Sequence, residues 1–95
     1  MATTFLSGID VSKWQATTPP LVGLSFLFAR ASYAATLDQK YVLHTTAARK
    51  AGLVVGAYHF GTGFVTPAAQ AKVFLAAAAK ADLLVLDLES DRTLT

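Results

Sequence analysis

What most constrains this chain is the regular alternation of short apolar runs with helix-like segments. The runs are "FLSGIDVS" (Phe5 to Ser12), "LSFLFARASY" (Leu24 to Tyr33), "LVVGAYHF" (Leu53 to Phe60) and "LLVLDLES" (Leu83 to Ser90). β-Branched and aromatic residues dominate them, and turn formers bound them. Between the first two lies a loop marked by Thr17-Thr18-Pro19-Pro20 and Gly23. "AATLDQ" connects the second run to a helix over Gln39 to Gly52. There Tyr41, Thr45, Ala48 and Gly52 recur at three- and four-residue steps, Arg49 and Lys50 occupy the last turn, and Gly52 closes it. A second helix begins at Pro67, whose missing N–H is harmless at a first helical position, and runs through "PAAQAKVFLAAAAKA". The order β-loop-β-α-β-α-β, with near-continuous apolar strands, predicts a parallel α/β sheet covered on at least one face.

Parity places the polar exceptions. Alternate residues of a strand point to opposite faces. Leu83, Val85, Asp87 and Glu89 therefore share a face, with the two acids about 6.5–7 Å apart at Cα. Asp10 sits near the end of the first strand. Ligands of parallel α/β sheets bind at the C-terminal edge of the strands, so Asp10, Asp87 and Glu89 are expected on one rim. Tyr58 and Phe60 end the third strand there, and Trp14 and Tyr33 follow the first and second.

Three acids and several aromatics around one opening suit carbohydrate chemistry. Aromatic faces stack on sugar rings, and paired carboxylates supply a proton donor and a group that stabilises charge at the anomeric carbon. A carboxyl beside another holds its proton to higher pH, as a general acid must. Glu89 reaches one methylene further than Asp87, so Glu89 is read as the acid and Asp87 as its partner. Arg30 interrupts "FLFARAS", and a buried guanidinium needs an anion; the nearby acids are its expected partners, and Arg30 is read equally as a structural ion pair in the barrel interior or a substrate contact. Trp14 is read equally as a sugar platform or a core residue, His59 as a packed, hydrogen-bonded histidine, and His44 as structural or exposed.

Composition narrows the classes. The chain has 95 residues, so it makes one small domain at most, over residues 1–95. There is no cysteine, which excludes disulfides and thiolate chemistry. Net charge is +2 with the basic residues dispersed, so no stripe invites nucleic acid. "AKVFLAAAAKA" is far shorter than the roughly 20 residues a membrane span needs, and "MATTFLSGID" lacks the pattern of a signal peptide. His44 and His59 stand apart without cysteine, so neither metal nor cofactor is expected. The apolar share is 54%, high for a small domain, which predicts either a face that something else covers or a core unusually large for the length.

"GIDVSKWQ", "FARASY", "AARKAGLVVGAYHF", "QAKVF" and "LVLDLE" occur in an order and spacing that resembles glycoside hydrolase family 25, the lysozymes or N-acetylmuramidases of bacteria and phages. The resemblance runs from Gly8 to Glu89. It implies a flattened β/α barrel that cleaves the β-1,4 bond between N-acetylmuramic acid and N-acetylglucosamine in peptidoglycan. By position Glu89 matches the family's general acid, Asp87 the acid assisting at the anomeric centre, Asp10 the acid of the first strand, and Tyr58 a tyrosine lining the sugar site. Asp38 matches an aspartate before the helix and is read as structural. Arg30, Tyr33, Trp14 and Phe60 complete the expected substrate contacts. A full (β/α)8 barrel takes roughly 250 residues, so the expected fold is a half-barrel of four strands and two helices, completed by self-association or by a second chain. The implied activity is that of a muramidase acting on the cell wall, released by lysis, by a holin or within a virion. The alternative is a non-catalytic virion or wall-binding module.

Overall fold

A computed structural model describes residues 6–88. Strand β1 (Gly8–Val11) leads through a long loop to β2 (Phe26–Tyr33), followed by β3 (Thr36–Leu37), α1 (Tyr41–Lys50), β4 (Val54–Phe60), α2 (Pro67–Ala77) and β5 (Leu83–Asp87). The sheet order is β1-β2-β4-β5, and every neighbouring pair on this path is parallel. The expected strands and helices are all present, trimmed at their ends. Phe5 and Ser90 of the expected strands lie outside the described residues. One expectation is corrected: the connection "AATLDQ" contains β3, which folds back antiparallel on β2 by pairing Ser32 with Leu37 and Tyr33 with Thr36. Ala34 makes this tight reversal with a positive φ of 49°.

Local chemistry explains the boundaries. Gly52 (φ 81°) follows α1, with Gly52 N–H donating to the Arg49 carbonyl and Leu53 N–H to that of Ala48, which satisfies the last carbonyls of the helix. Thr66 caps α2 by accepting from Ala69 N–H, with Pro67 at the first position. Asp82 ties the start of β5 to β4: its amide donates to the Val55 carbonyl while its carboxylate accepts from Val55 N–H.

The two faces of the sheet differ. Val11, Leu27, Ala29, Ala31, Val55 and Ala57 form the core with Tyr41 and Ala48 of α1, Phe74 of α2 and Ala78 just beyond it. Burying Leu27 and Val55 contributes roughly 1.5–3 kcal/mol each, and the small alanines let the helices approach the strands closely. Two buried histidines lock this layer. His59 Nε2 bonds Gln70 Oε1 (2.8 Å) and Nδ1 bonds Ser32 Oγ (2.7 Å). The Gln70 amide nitrogen donates to the Thr62 and Val65 carbonyls. Its oxygen must therefore accept, so His59 donates through Nε2 and accepts the Ser32 proton. His59 is thus a packed, hydrogen-bonded residue. His44 is fully buried and structural, with Nε2 donating to the Ser12 carbonyl and Nδ1 accepting from Thr18.

The opposite face carries Asp10, Phe28, Tyr58, Val85 and Asp87 by register. Phe26 and Phe28 meet there edge to face, with ring centroids 5.5 Å apart. A methyl group on Gly56 would collide with the Phe28 ring, so the glycine is what lets that ring lie across the neighbouring strand. β5 is an edge strand, and Leu83, Leu84, Val85, Leu86 and the following Leu88 are each 40–60% exposed. Part of the apolar excess of the sequence is therefore displayed along this one edge.

Candidate active site

The strand ends of the helix-free face hold a cavity of about 560 Å³ lined by Asp10, Phe28, Tyr58, Val85, Leu86 and Asp87. Each acid is placed by backbone pairing. Asp10 stands opposite Phe28 in the β1–β2 ladder, and Asp87 stands opposite Phe60 in the β4–β5 ladder, with Gly61 N–H donating to the Asp87 carbonyl at 3.0 Å. Tyr58 lies between them on β4. Burial raises its phenol above the ordinary value. The Arg30 guanidinium pulls it down, while Asp10, Asp38 and Asp87 push it up. The net rise keeps Tyr58 a neutral hydroxyl, a hydrogen-bond donor beside two carboxylates.

Arg30 stands opposite Tyr58 across the ladder. Its anionic partner is a correction to the expectation from sequence: Nε donates to Asp38 Oδ2 at 2.9 Å, in place of the rim acids. Asp38 is fully buried at its side chain and fully used. Oδ2 also accepts from Lys13 N–H, and Oδ1 accepts from Lys40 N–H ahead of α1. Its structural reading agrees with this geometry. The reason sequence missed the pairing is the bulge between Arg30 and Ser32, beside which β3 and the start of α1 fold back over β2.

The remaining aromatics fall into two groups. Phe60 is half-buried on the cavity face, level with Tyr33 and Asp87. Tyr33 lies under two cations, with Arg30 4.5 Å and Lys13 4.6 Å from its ring centroid. Trp14 is 76% exposed on the loop after β1, with Lys13 Nζ 5.1 Å from its ring, so the core alternative for this residue is set aside. Glu89 lies outside the described residues. Lys13 is the neighbour that residue-by-residue reading passed over as one of several dispersed lysines. Its signal was its position directly after the first strand, between Ser12 and Trp14.

The shared cavity holds a puzzle. Through the ladders Asp10 is level with Phe28, Gly56 and Leu83, four residues before Asp87 and three strands away. Comparison with known proteins gives the family. The model of the family described as Glycosyl hydrolases family 25 matches residues 9–95. The chain belongs to this family. The catalytic domain of endolysin ply40 from bacteriophage P40 of Listeria monocytogenes is similar in structure, with a TM-score of 0.76 and 24% identity over 92% of this chain and 48% of that one. The family 25 chain thus spans about half the length of this solved relative. No curated protein sequence matches it.

The fold is half of a parallel β/α barrel. Asp10 and Asp87 line one cavity despite their four-residue offset in the ladder.

Proposed function

We propose that this family 25 chain carries the catalytic half of a peptidoglycan hydrolase, a muramidase acting on the β-1,4 bond between N-acetylmuramic acid and N-acetylglucosamine. Glu89 is the general acid. Asp87 assists at the anomeric centre, Asp10 adds the third carboxylate, and Tyr58, Phe60, Tyr33, Trp14 and Arg30 border the glycan. The observation that carries this reading is the convergence of Asp10, Asp87 and the neutral Tyr58 hydroxyl on one open cavity. Asp87 closes β5 beside β4, two positions before Glu89 in the sequence.

The apolar edge of β5 supports a further part of the reading. It is covered by a second copy or a complementing half-barrel chain, since an exposed edge of leucines is a template for pairing. Light scattering after size exclusion is expected to show an oligomer or complex; a stable monomer at working concentration overturns that part. The site of action is the bacterial cell wall, reached by lysis, a holin or incorporation in a virion. No helix among the described residues is long and apolar enough to cross a membrane.

The test is clearance of purified cell walls by the wild type beside Glu89→Gln and Asp87→Asn. Clearing by the wild type alone supports the enzyme. The second reading is a wall-binding module without turnover. Retained wall binding with equal inactivity of all three proteins selects it.

A further inference from the structure

Arg30 stands across the ladder from the cavity residue Tyr58, and it shares the Tyr33 ring, in a cationic corner, with Lys13, which the hydrolytic reading leaves without a task. We propose that Lys13, with Arg30 beneath it, forms a carboxylate-binding subsite that takes an acidic group hung from the glycan rather than the sugar ring itself. The inference rests on the glycan reading of the cavity and adds which chemical feature of the strand is recognised.

Charge comes first. Lys13 and Arg30 share the Tyr33 ring and one carboxylate, Asp38. That carboxylate spends its oxygens on Arg30 Nε, the Lys13 amide and the Lys40 amide. No carboxylate among the described residues pairs with Lys13 Nζ, which donates instead to the Tyr33 hydroxyl at 3.2 Å. Arg30 Nη2 is buried and has no acceptor among the described residues. An unpaired buried donor costs about 1–3 kcal/mol, more when charged, and an arriving carboxylate relieves that kind of cost. The corner therefore holds two cations against one anion, with donors to spare.

Preorganisation is the second strand of the case. The loop bearing Lys13 is fixed at each residue. Ser12 N–H donates to the Gln15 side chain, and the Ser12 carbonyl accepts from both Gln15 N–H and buried His44. Lys13 N–H donates to Asp38, and Trp14 N–H to Ser12 Oγ. A donor held this way spends little entropy on binding.

The neighbouring acids give the corner its selectivity. Asp10 and Asp87 line the cavity and disfavour an anion there, while Lys13, held against Tyr33, favours one. A strand bearing an acidic substituent on every second sugar is thereby held in one register and rejected in the other, by attraction on one side and repulsion on the other. Two carboxylates fit this chemistry, that of the 3-O-lactyl ether once its peptide is removed and those of the stem peptide itself.

The test is equilibrium binding of the full chain, wild type, Lys13→Gln and Lys13→Arg, to four glycans. These are isolated peptidoglycan, the same material with its carboxylates amidated, strands stripped of peptides by an amidase, and neutral chitooligosaccharide. Lys13→Gln is expected to lose roughly tenfold in affinity, the size of one charge-assisted hydrogen bond, on one or both carboxylate-bearing glycans. It should equal the wild type on the amidated and neutral ones, and Lys13→Arg should restore most of the loss. Loss confined to stripped strands assigns the lactyl carboxylate; loss confined to peptide-bearing material assigns the stem. Equal loss on neutral and acidic glycans, or no loss anywhere while the wild type binds, overturns the inference and leaves the glycan reading standing. A wild type that binds none of the four overturns both.

Discussion

Arg30 Nε lies 2.9 Å from Asp38 Oδ2, with the two side chains only 11% and 0% exposed. This buried pair joins the centre of β2 to the start of α1 and holds the Lys13 amide as well. Asp38→Ala strands a buried guanidinium and releases three donors. It is expected to cost about 3–5 kcal/mol, read as a fall in the urea midpoint at unchanged slope. A loss below about 1 kcal/mol, the worth of an exposed pair, contradicts the burial described.

Gly56→Ala tests the close approach on the cavity face. The added methyl meets the Phe28 ring, which can yield only by leaving its place beside Phe26. Overpacking of this kind costs typically 1–3 kcal/mol. Thermal denaturation measures it, and the double variant Gly56→Ala with Phe28→Leu should recover part of the loss.

Gln70→Leu removes the residue that pins the loop after β4. The His59 Nε2–H, the Thr62 amide and two loop carbonyls lose their partner together. About 1–3 kcal/mol per orphaned buried group is at stake. Amide hydrogen exchange is expected to accelerate at Thr62, while the amides of α1, remote from the network, keep their protection.

The raised phenol of Tyr58 fixes a pH dependence. The folded protein holds this proton to higher pH than the unfolded chain, whose tyrosine titrates near 10. Above about pH 10 the folded state binds more protons, so stability falls as pH rises; below that the term is constant. Tyr58→Phe should flatten part of the decline in melting temperature between pH 9 and 11. Tyr41, raised mainly by its own burial, sustains the remainder.

The sequence by itself determined the order of elements and the faces they bury. Alternation of apolar runs and helix-period segments is local information, and it put Asp10, Tyr58 and Asp87 at strand ends on one side. Gly52 and Pro67 marked helix boundaries for equally local reasons. What only the tertiary structure decided is partnership between residues distant in sequence. Arg30 is neutralised by Asp38 through a bulge and a reversal at Ala34, and Lys13 comes to lie against Tyr33 on a loop held by His44 and Asp38. Asp10 and Asp87 line one cavity despite a four-residue offset in the ladder. A one-dimensional pattern fixes which way a side chain points along its own strand. How far neighbouring strands slide and tilt is set by closing the sheet and packing its core, and that sum over many contacts is written in no single stretch of residues.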